Sequence, residues 1–342
     1  MAEIQPTEEE ESVWRFGYGS NIALTTLQEK KNLNPIRHLV GTINGWQLYF
    51  SPGIPFVEPG FAAVHPVAQK KSDDDNDDEN NDDANNGDGK MHELHGSAFL
   101  IPKTEADGLD RQEKGYHVLP SKFVAYDGEV IEGVGLYVPR RYFKDGDITS
   151  FTPEEEVVNQ VKTGIPSRRY IRLLQQGARE AELSNAWIQK LDSFEHYVTP
   201  DDVRSQTLQW VEEFHNDPDR KDVIWTMEQL SKYDGSNPEQ FPPHVAVMQY
   251  VVKLSPNGWF FASWKGHCIT RRNLLHYGGK SVDRNDVRWD EEGFRPLPKV
   301  CECSDEEREY LLQNLETVLH RGGIIVARLK ECIEDGGEME CL

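Results

Sequence analysis

Two short stretches bring together residue types that could do chemistry. The first is Phe16-Gly17-Tyr18-Gly19-Ser20-Asn21, set between an aromatic run and a segment with helical character. Two glycines allow backbone shapes closed to other residues. Amides left free at the start of a helix suit a carboxylate or a developing oxyanion. The stretch is not a Walker loop, because no lysine follows the glycines, and it lacks the third glycine of a dinucleotide fingerprint. Nor is it a nucleophile elbow, since Ser20 follows Gly19 directly. Alone, it reads better as a structural strand-to-helix turn. The second stretch is Leu109-Asp110-Arg111-Gln112-Glu113-Lys114-Gly115-Tyr116, which puts Glu113 near the end of a short helix, with a strand ahead. A lone glutamate there is ordinarily a solvated surface group.

A third stretch, Pro166-Ser167-Arg168-Arg169-Tyr170 continuing to Glu180, completes a pattern. With these three segments in this order, the chain resembles the gamma-glutamylcyclotransferase family. The resemblance covers roughly Val13 to Tyr197 and leaves out an acidic insertion and the residues from Val198 to Leu342. It implies a small mixed β-barrel with packed helices. It implies that Tyr18, Gly19 and Ser20, flanked by Phe16, Gly17 and Asn21, bind a γ-glutamyl group through backbone amides. It also implies Glu113 as the acid/base, Tyr170 closing the pocket and Tyr137 lining it, with no metal or organic cofactor. Arg168 and Arg169 either meet substrate carboxylates or sit in water.

The implied chemistry is coherent. The α-amine of a γ-glutamyl compound attacks its own γ-carbonyl, closes a five-membered ring and releases 5-oxoproline and a free amine. The attack is intramolecular, so holding the substrate folded replaces much of the barrier. One carboxylate can take the proton from the attacking nitrogen and return it to the leaving one, help worth roughly 10²–10⁴-fold. The expected substrate is a γ-glutamyl amino acid, amine or related metabolite. Glutathione is less favoured, and a lyase of this type serving a specialised pathway is a second catalytic reading. The alternative from another class is a non-catalytic interaction protein on the same barrel, using a Trp-rich C-terminal extension. An exposed apolar patch over Trp259 to Trp264 would favour it.

The elements that must position these residues follow from periodicity. Strands are expected over Val40–Phe50, Gly60–Val67 and Leu94–Ile101. A short helix comes after them, with Pro102 near its start and Gly115 near its end. Two strands come next, the second alternating Val134, Leu136 and Val138 with Gly135 and Tyr137. Tyr170, Leu174, Gly177, Ala178 and Ala181 form one helix face, and the small pair among them predicts close packing. Ser184 is expected to cap a helix carrying Trp187, Leu191 and Phe194. Further on, the apolar run His244–Leu254 is expected to pair with Gly258–Trp264. Ser304 with Glu307 forms a capping box ahead of Leu311, Leu315, Val318 and Leu319. The class is α+β, with an α/β C-terminal extension. The expected division is an acidic tail over 1–12, the barrel domain over 13–204 and the extension over 205–342.

Composition sets the outer limits. A net charge of −22 without a Lys/Arg block argues against nucleic-acid binding. Nine of the acidic residues lie between Ser72 and Gly89, and without them the charge would be −13. That stretch has no apolar residue larger than Ala84, so burial cannot offset the entropy of ordering it. It is expected to be a disordered surface insertion; calcium is the rival, but the EF-hand register fails. There is no apolar leader and no run of about 18 apolar residues, so neither a signal peptide nor a membrane span is expected. The five cysteines, Cys268, Cys301, Cys303, Cys332 and Cys341, suggest a reduced, cytoplasmic protein. Zinc held by His267, Cys268, Cys301 and Cys303 ranks below ordinary thiols, for want of a Cys-x-x-Cys pair. The only partner expected is a small γ-glutamyl molecule; the oligomeric state is not legible.

Overall fold

The computed structural model describes residues 11–31, 33–67, 93–113, 115–143, 150–151, 162–255, 264–270 and 303–333. The acidic insertion 72–89 and the tail up to residue 10 lie outside them, as do Trp259, Cys301 and Cys341. The chain divides into two compact units, one of Met1–Gly53 with Gly60–His196, the other of Ile54–Pro59 with Tyr197–Leu342.

The first unit is built on a closed barrel. Its strands are β1 (Ser12–Gly17), β2 (Arg37–Asn44), β5 (Glu93–Pro102), β6 (Tyr116–Ala125) and β7 (Val130–Pro139), in the order β1-β5-β2-β6-β7. All neighbours are antiparallel except β1 with β7, whose parallel pairing of Arg15 with Gly135 and Phe16 with Leu136 closes the barrel. Closure removes the exposed edges that an open sheet would carry. Phe16, Ile43, Leu94, Ala98, Phe123, Val134, Leu136 and Val138 are buried in its core. Beside the barrel, β3 (Trp46–Ile54) and β4 (Glu58–Pro66) form a two-stranded sheet.

The expected single strand over Val40–Phe50 is therefore two strands in two sheets. Gly45 separates them with φ +83°, a left-handed conformation that only glycine adopts without strain. Asn44-Gly45 is itself a strong turn signal.

Among the described residues this unit has three α-helices: α1 (Lys103–Gln112), α2 (Arg168–Glu180) and α3 (Asn185–Asp192). Ser167 and Ser184 cap α2 and α3, accepting from the amides of Tyr170 and Trp187. The small residues of α2 do pack closely: a Cβ on Gly177 would lie 3.5 Å from Ile22 Cβ and 3.6 Å from Ala23 Cβ. The helix thus rests on the chain just beyond Asn21.

The second unit has a four-stranded sheet in the order β8-β11-β10-β9, from β8 (Ile224–Trp225), β9 (His244–Val247), β10 (Tyr250–Lys253) and β11 (Ile324–Leu329). Its helices are α4 (Asp201–Asn216), α5 (Met227–Ser231) and α6 (Asp305–Leu319). Helix α4 runs across the boundary expected at 204/205. The run His244–Leu254 is not one strand: it is a hairpin in itself, β9 with β10, turning at Met248 with φ +56°. Residues 258–263 lie outside the described residues. The Ser304–Glu307 capping box is present, and Leu311, Leu315, Val318 and Leu319 are buried. Arg204 bridges Glu309 and the buried Glu316, whose other oxygen accepts from Thr199. Burial pushes the Glu316 carboxyl up despite Arg204. Among the described residues, no helix is long and apolar enough to cross a membrane.

Candidate active site

The segment Phe16–Asn21 leaves the barrel at the end of β1. Two close approaches fix its course. A Cβ on Gly17 would fall 2.1 Å from the Asn21 carbonyl oxygen, and one on Gly96 would fall 2.3 Å from the Gly17 oxygen. Only glycines leave room for the chain to fold back on itself there. The turn closes as the Ile22 amide donates to the Gly19 carbonyl (3.2 Å). Phe16 is a core residue, its ring 5.8 Å from that of Phe123 and its backbone engaged in the β1 ladders.

Glu113 is fixed by its own backbone. Its amide donates to the Leu109 carbonyl, the last helical bond of α1, and its carbonyl accepts from the Tyr116 amide, opening β6. Ala106 and Leu109 anchor α1 in the core. The side chain meets the loop: Asn21 Nδ2 donates to Glu113 Oε1 at 3.3 Å, across 92 positions of sequence. Lys31 Nζ stands 3.9 Å from the same oxygen. Asn21 Oδ1 is buried and accepts no hydrogen bond among the described residues, an acceptor waiting beside a carboxylate.

Phenols surround this pair. Tyr18 is buried and its hydroxyl donates to the Tyr137 carbonyl (2.7 Å). Burial, with Tyr116, Tyr170 and Glu113 nearby, pushes its ionisation well up, so Tyr18 stays a neutral donor. Tyr116 donates to the Ala62 carbonyl (3.1 Å), and the Ala62 amide donates to the Tyr170 oxygen (3.2 Å). Ala62 on β4 is thereby held between β6 and α2. The Tyr170 ring is braced edge-on by Phe50 and Phe61. A Cβ on Gly19 would lie 3.2 Å from Ala62 Cβ and 3.4 Å from the Tyr170 hydroxyl. The loop therefore passes directly over Tyr170, and Gly19 is what allows it.

The Tyr137 hydroxyl donates to Asp110 Oδ1 (2.7 Å). Burial and Asp110 raise its ionisation strongly. Asp110 also receives Arg15, Nε to Oδ1 at 3.0 Å and Nη2 to Oδ2 at 2.7 Å. Gly135 makes way for that guanidinium, since a Cβ there would lie 3.1 Å from Arg15 Nη1. The loop residues, Glu113 and Tyr170 thus come together, with Tyr137 one step behind. Arg169 is buried and Arg168 exposed. Sequence reasoning missed Arg15, Asp110, Tyr116 and Ala62. Asp110 is one turn before Glu113 on α1, but nothing in the sequence announces that Arg15 lies opposite.

Among the described residues, no group of three or more His, Cys, Asp and Glu could hold a metal ion. Cys268 and Cys332 are buried with their sulfurs 4.0 Å apart, and Cys303 belongs to a different apolar cluster.

No family model matches the chain. It is 26% identical to gamma-glutamyl cyclotransferase aclK of Aspergillus oryzae over 181 residues, 52% of this chain and 60% of that protein. It is 25% identical to gamma-glutamyl cyclotransferase gliK of Aspergillus fumigatus over 195 residues, 57% of this chain and 66% of that protein. The chain thus spans three fifths to two thirds of the length of these relatives. A solved gamma-glutamyl cyclotransferase is 18% identical with a TM-score of 0.38, covering 57% of this chain and 98% of its own. Over about half its length, the part that carries the barrel, this chain resembles the gamma-glutamyl cyclotransferases.

Proposed function

We propose that the barrel unit is a gamma-glutamyl cyclotransferase that converts a γ-glutamyl compound into 5-oxoproline and a free amine. The observation that carries this reading is the meeting of Glu113 with Asn21 of the Gly-rich loop at 3.3 Å. Two segments far apart in sequence, the Gly-rich loop and the end of α1, meet through this contact.

The reaction needs few parts. The α-amine nitrogen bonds to the γ-carbonyl carbon, and the bond from that carbon to the leaving nitrogen breaks. Glu113 takes the proton that the α-nitrogen must lose and delivers it to the leaving nitrogen, so the carboxylate is regenerated. Negative charge gathers on the carbonyl oxygen during attack, and in this reading amides of the Tyr18–Asn21 loop meet it. Tyr170, braced by Phe50 and Phe61, walls the site. Tyr18 supports it by tying the loop to β7 through the Tyr137 carbonyl. Ring closure is favoured because the substrate is held folded, with both reacting groups in one molecule.

The test is 5-oxoproline release from a panel of γ-glutamyl amino acids, γ-glutamyl amines and glutathione. Glu113→Gln keeps the side chain's shape and its contact with Asn21 while removing the base. Release is expected from wild type and should fall by about 10²-fold or more in the variant. Unchanged release in a folded Glu113→Gln protein would sink the assignment.

A further inference from the structure

One cation stands beside the same phenols without a carboxylate of its own. Arg141 lies in the 3₁₀ turn Arg140–Tyr142 just after β7. Arg15 pairs with Asp110, Arg37 with Glu129 and Arg179 with Asp192. Arg141 pairs with no carboxylate among the described residues; its Nη2 instead donates to Ser51 Oγ at 2.8 Å. Its guanidinium carbon lies 5.9 Å from the centre of the Tyr49 ring. A hydroxyl and an aromatic face thus hold an exposed, planar guanidinium in place and leave most of its donors unused.

The backbone brings this turn to Glu113: Tyr116 of β6 pairs with Pro139 at the end of β7, and the Arg140 amide donates to the carbonyl of Gly115, between Glu113 and Tyr116 (3.1 Å). The Tyr116 amide donates to the Glu113 carbonyl and its hydroxyl to the Ala62 carbonyl, so it belongs to the wall already described. Burial first, then Glu113 and Tyr49, raise its ionisation to about 12 against a downward pull from Arg141. The carboxylate and the guanidinium therefore both act on one ring. Tyr49 and Tyr142 are buried there, their hydroxyls interacting with each other and that of Tyr49 also with Ser51.

We infer that Arg141, oriented by Ser51 and Tyr49, binds a carboxylate carried by the leaving group, so that the substrates are γ-glutamyl amino acids or peptides rather than γ-glutamyl amines. The inference rests on the proposed function. In that reading the loop amides anchor the glutamyl half and Glu113 marks the scissile nitrogen. Arg141 remains for the group beyond that nitrogen. A guanidinium fork matches a carboxylate with two parallel N–H donors. A neutral alkyl amine offers it nothing. Ser51 contributes by accepting from Arg141, which fixes the direction of the guanidinium.

A matched pair of substrates isolates the carboxylate. γ-Glutamylalanine and γ-glutamylethylamide differ only by the carboxylate on the leaving group. Wild type is expected to favour the alanine compound in kcat/KM by about tenfold, the lower end for a charge-assisted contact at an exposed site. In Arg141→Ala the ratio of the two should fall to about one. Arg141→Lys, which keeps the charge without the fork, should fall between. Ser51→Ala should weaken the preference by disordering the guanidinium. Binding of both compounds to Glu113→Gln, with and without Arg141→Ala, reads the same ratio as Kd with no turnover. A wild-type ratio near one overturns the inference, as does an Arg141→Ala that slows both substrates equally. In either case 5-oxoproline release still stands for the function itself. No release from either substrate, and no binding to Glu113→Gln, overturns both together.

Discussion

Asp110 is expected to matter for stability and for turnover, whereas Glu113 matters for turnover alone. Asp110 accepts three hydrogen bonds, two from Arg15 and one from Tyr137. Its side chain is 26% exposed and that of Arg15 only 11%. Asp110→Asn keeps an acceptor but leaves the Arg15 charge nearly buried and unpaired. Breaking a fully buried pair costs about 3–5 kcal/mol. Partial exposure of Asp110 lets water screen the remaining charge, which brings the figure to about 2 kcal/mol. For a unit of this size that corresponds to a fall in melting temperature of roughly 4–8 °C. The pair also ties α1 to β1 one turn before Glu113, so its loss should lower kcat by displacing the carboxylate. Glu113 itself is partly exposed and makes one long hydrogen bond and one distant ion pair. Glu113→Gln should therefore shift stability by under about 0.5 kcal/mol. Hydrogen exchange of peptides covering β1, α1 and β7, measured beside 5-oxoproline release, separates the two variants. The chain has two units, and exchange reads the barrel unit locally where a single melting curve would not. Unchanged exchange and turnover in Asp110→Asn would refute the reasoning. So would a Glu113→Gln variant destabilised as much as Asp110→Asn.

Gly17→Ala places a Cβ 2.1 Å from the Asn21 oxygen, so the loop must move. A stability loss of about 1–3 kcal/mol and loss of 5-oxoproline release are expected, while Gly115→Ala, with open space around the new methyl, should be tolerated in both melting and release. His95 provides a pH test. Burial, with Lys190 nearby, holds it down at about 4 from the ordinary 6.5 and outweighs Glu93, 3.7 Å from Nε2. Its Nδ1 lies 2.7 Å from the Tyr126 hydroxyl, which accepts from the Ser184 amide, and its ring stacks on Trp187. The unfolded chain takes up the proton first, so stability from neutral His95 is complete above pH 6.5 and is lost as pH falls toward 4. His95→Gln should flatten stability over that window, and a slope unchanged by the substitution would refute the assignment.

Some of this was legible and some was not, for physical reasons. The helix faces of α2, α3 and α6 and the caps at Ser184 and Ser304 were readable, because caps and 3.6-residue periodicity are local. The loop Phe16–Asn21, Glu113 and Tyr170 were readable as three motifs in order. The split at Gly45 was written in Asn44-Gly45 but obscured by the β-rich residues on either side. The turn at Met248 was not written at all, since a non-glycine residue at φ +56° is held there by its surroundings rather than by propensity.

By itself, the sequence marked many of the strands and helices, and which residue types could bind an anion or carry a proton. Those properties belong to single residues and their near neighbours. Tertiary structure decided what meets what. Barrel closure by the parallel β1–β7 pair brings Arg15 to Asp110 and so fixes the helix that ends at Glu113. The return of the chain at Gly17 brings Asn21 to that carboxylate. The turn after β7 brings Arg141 to Ser51 and Tyr49. Each meeting joins residues about 90 or more positions apart. No local preference encodes such a distance; it is fixed only when the core closes and every buried polar group has to find its partner.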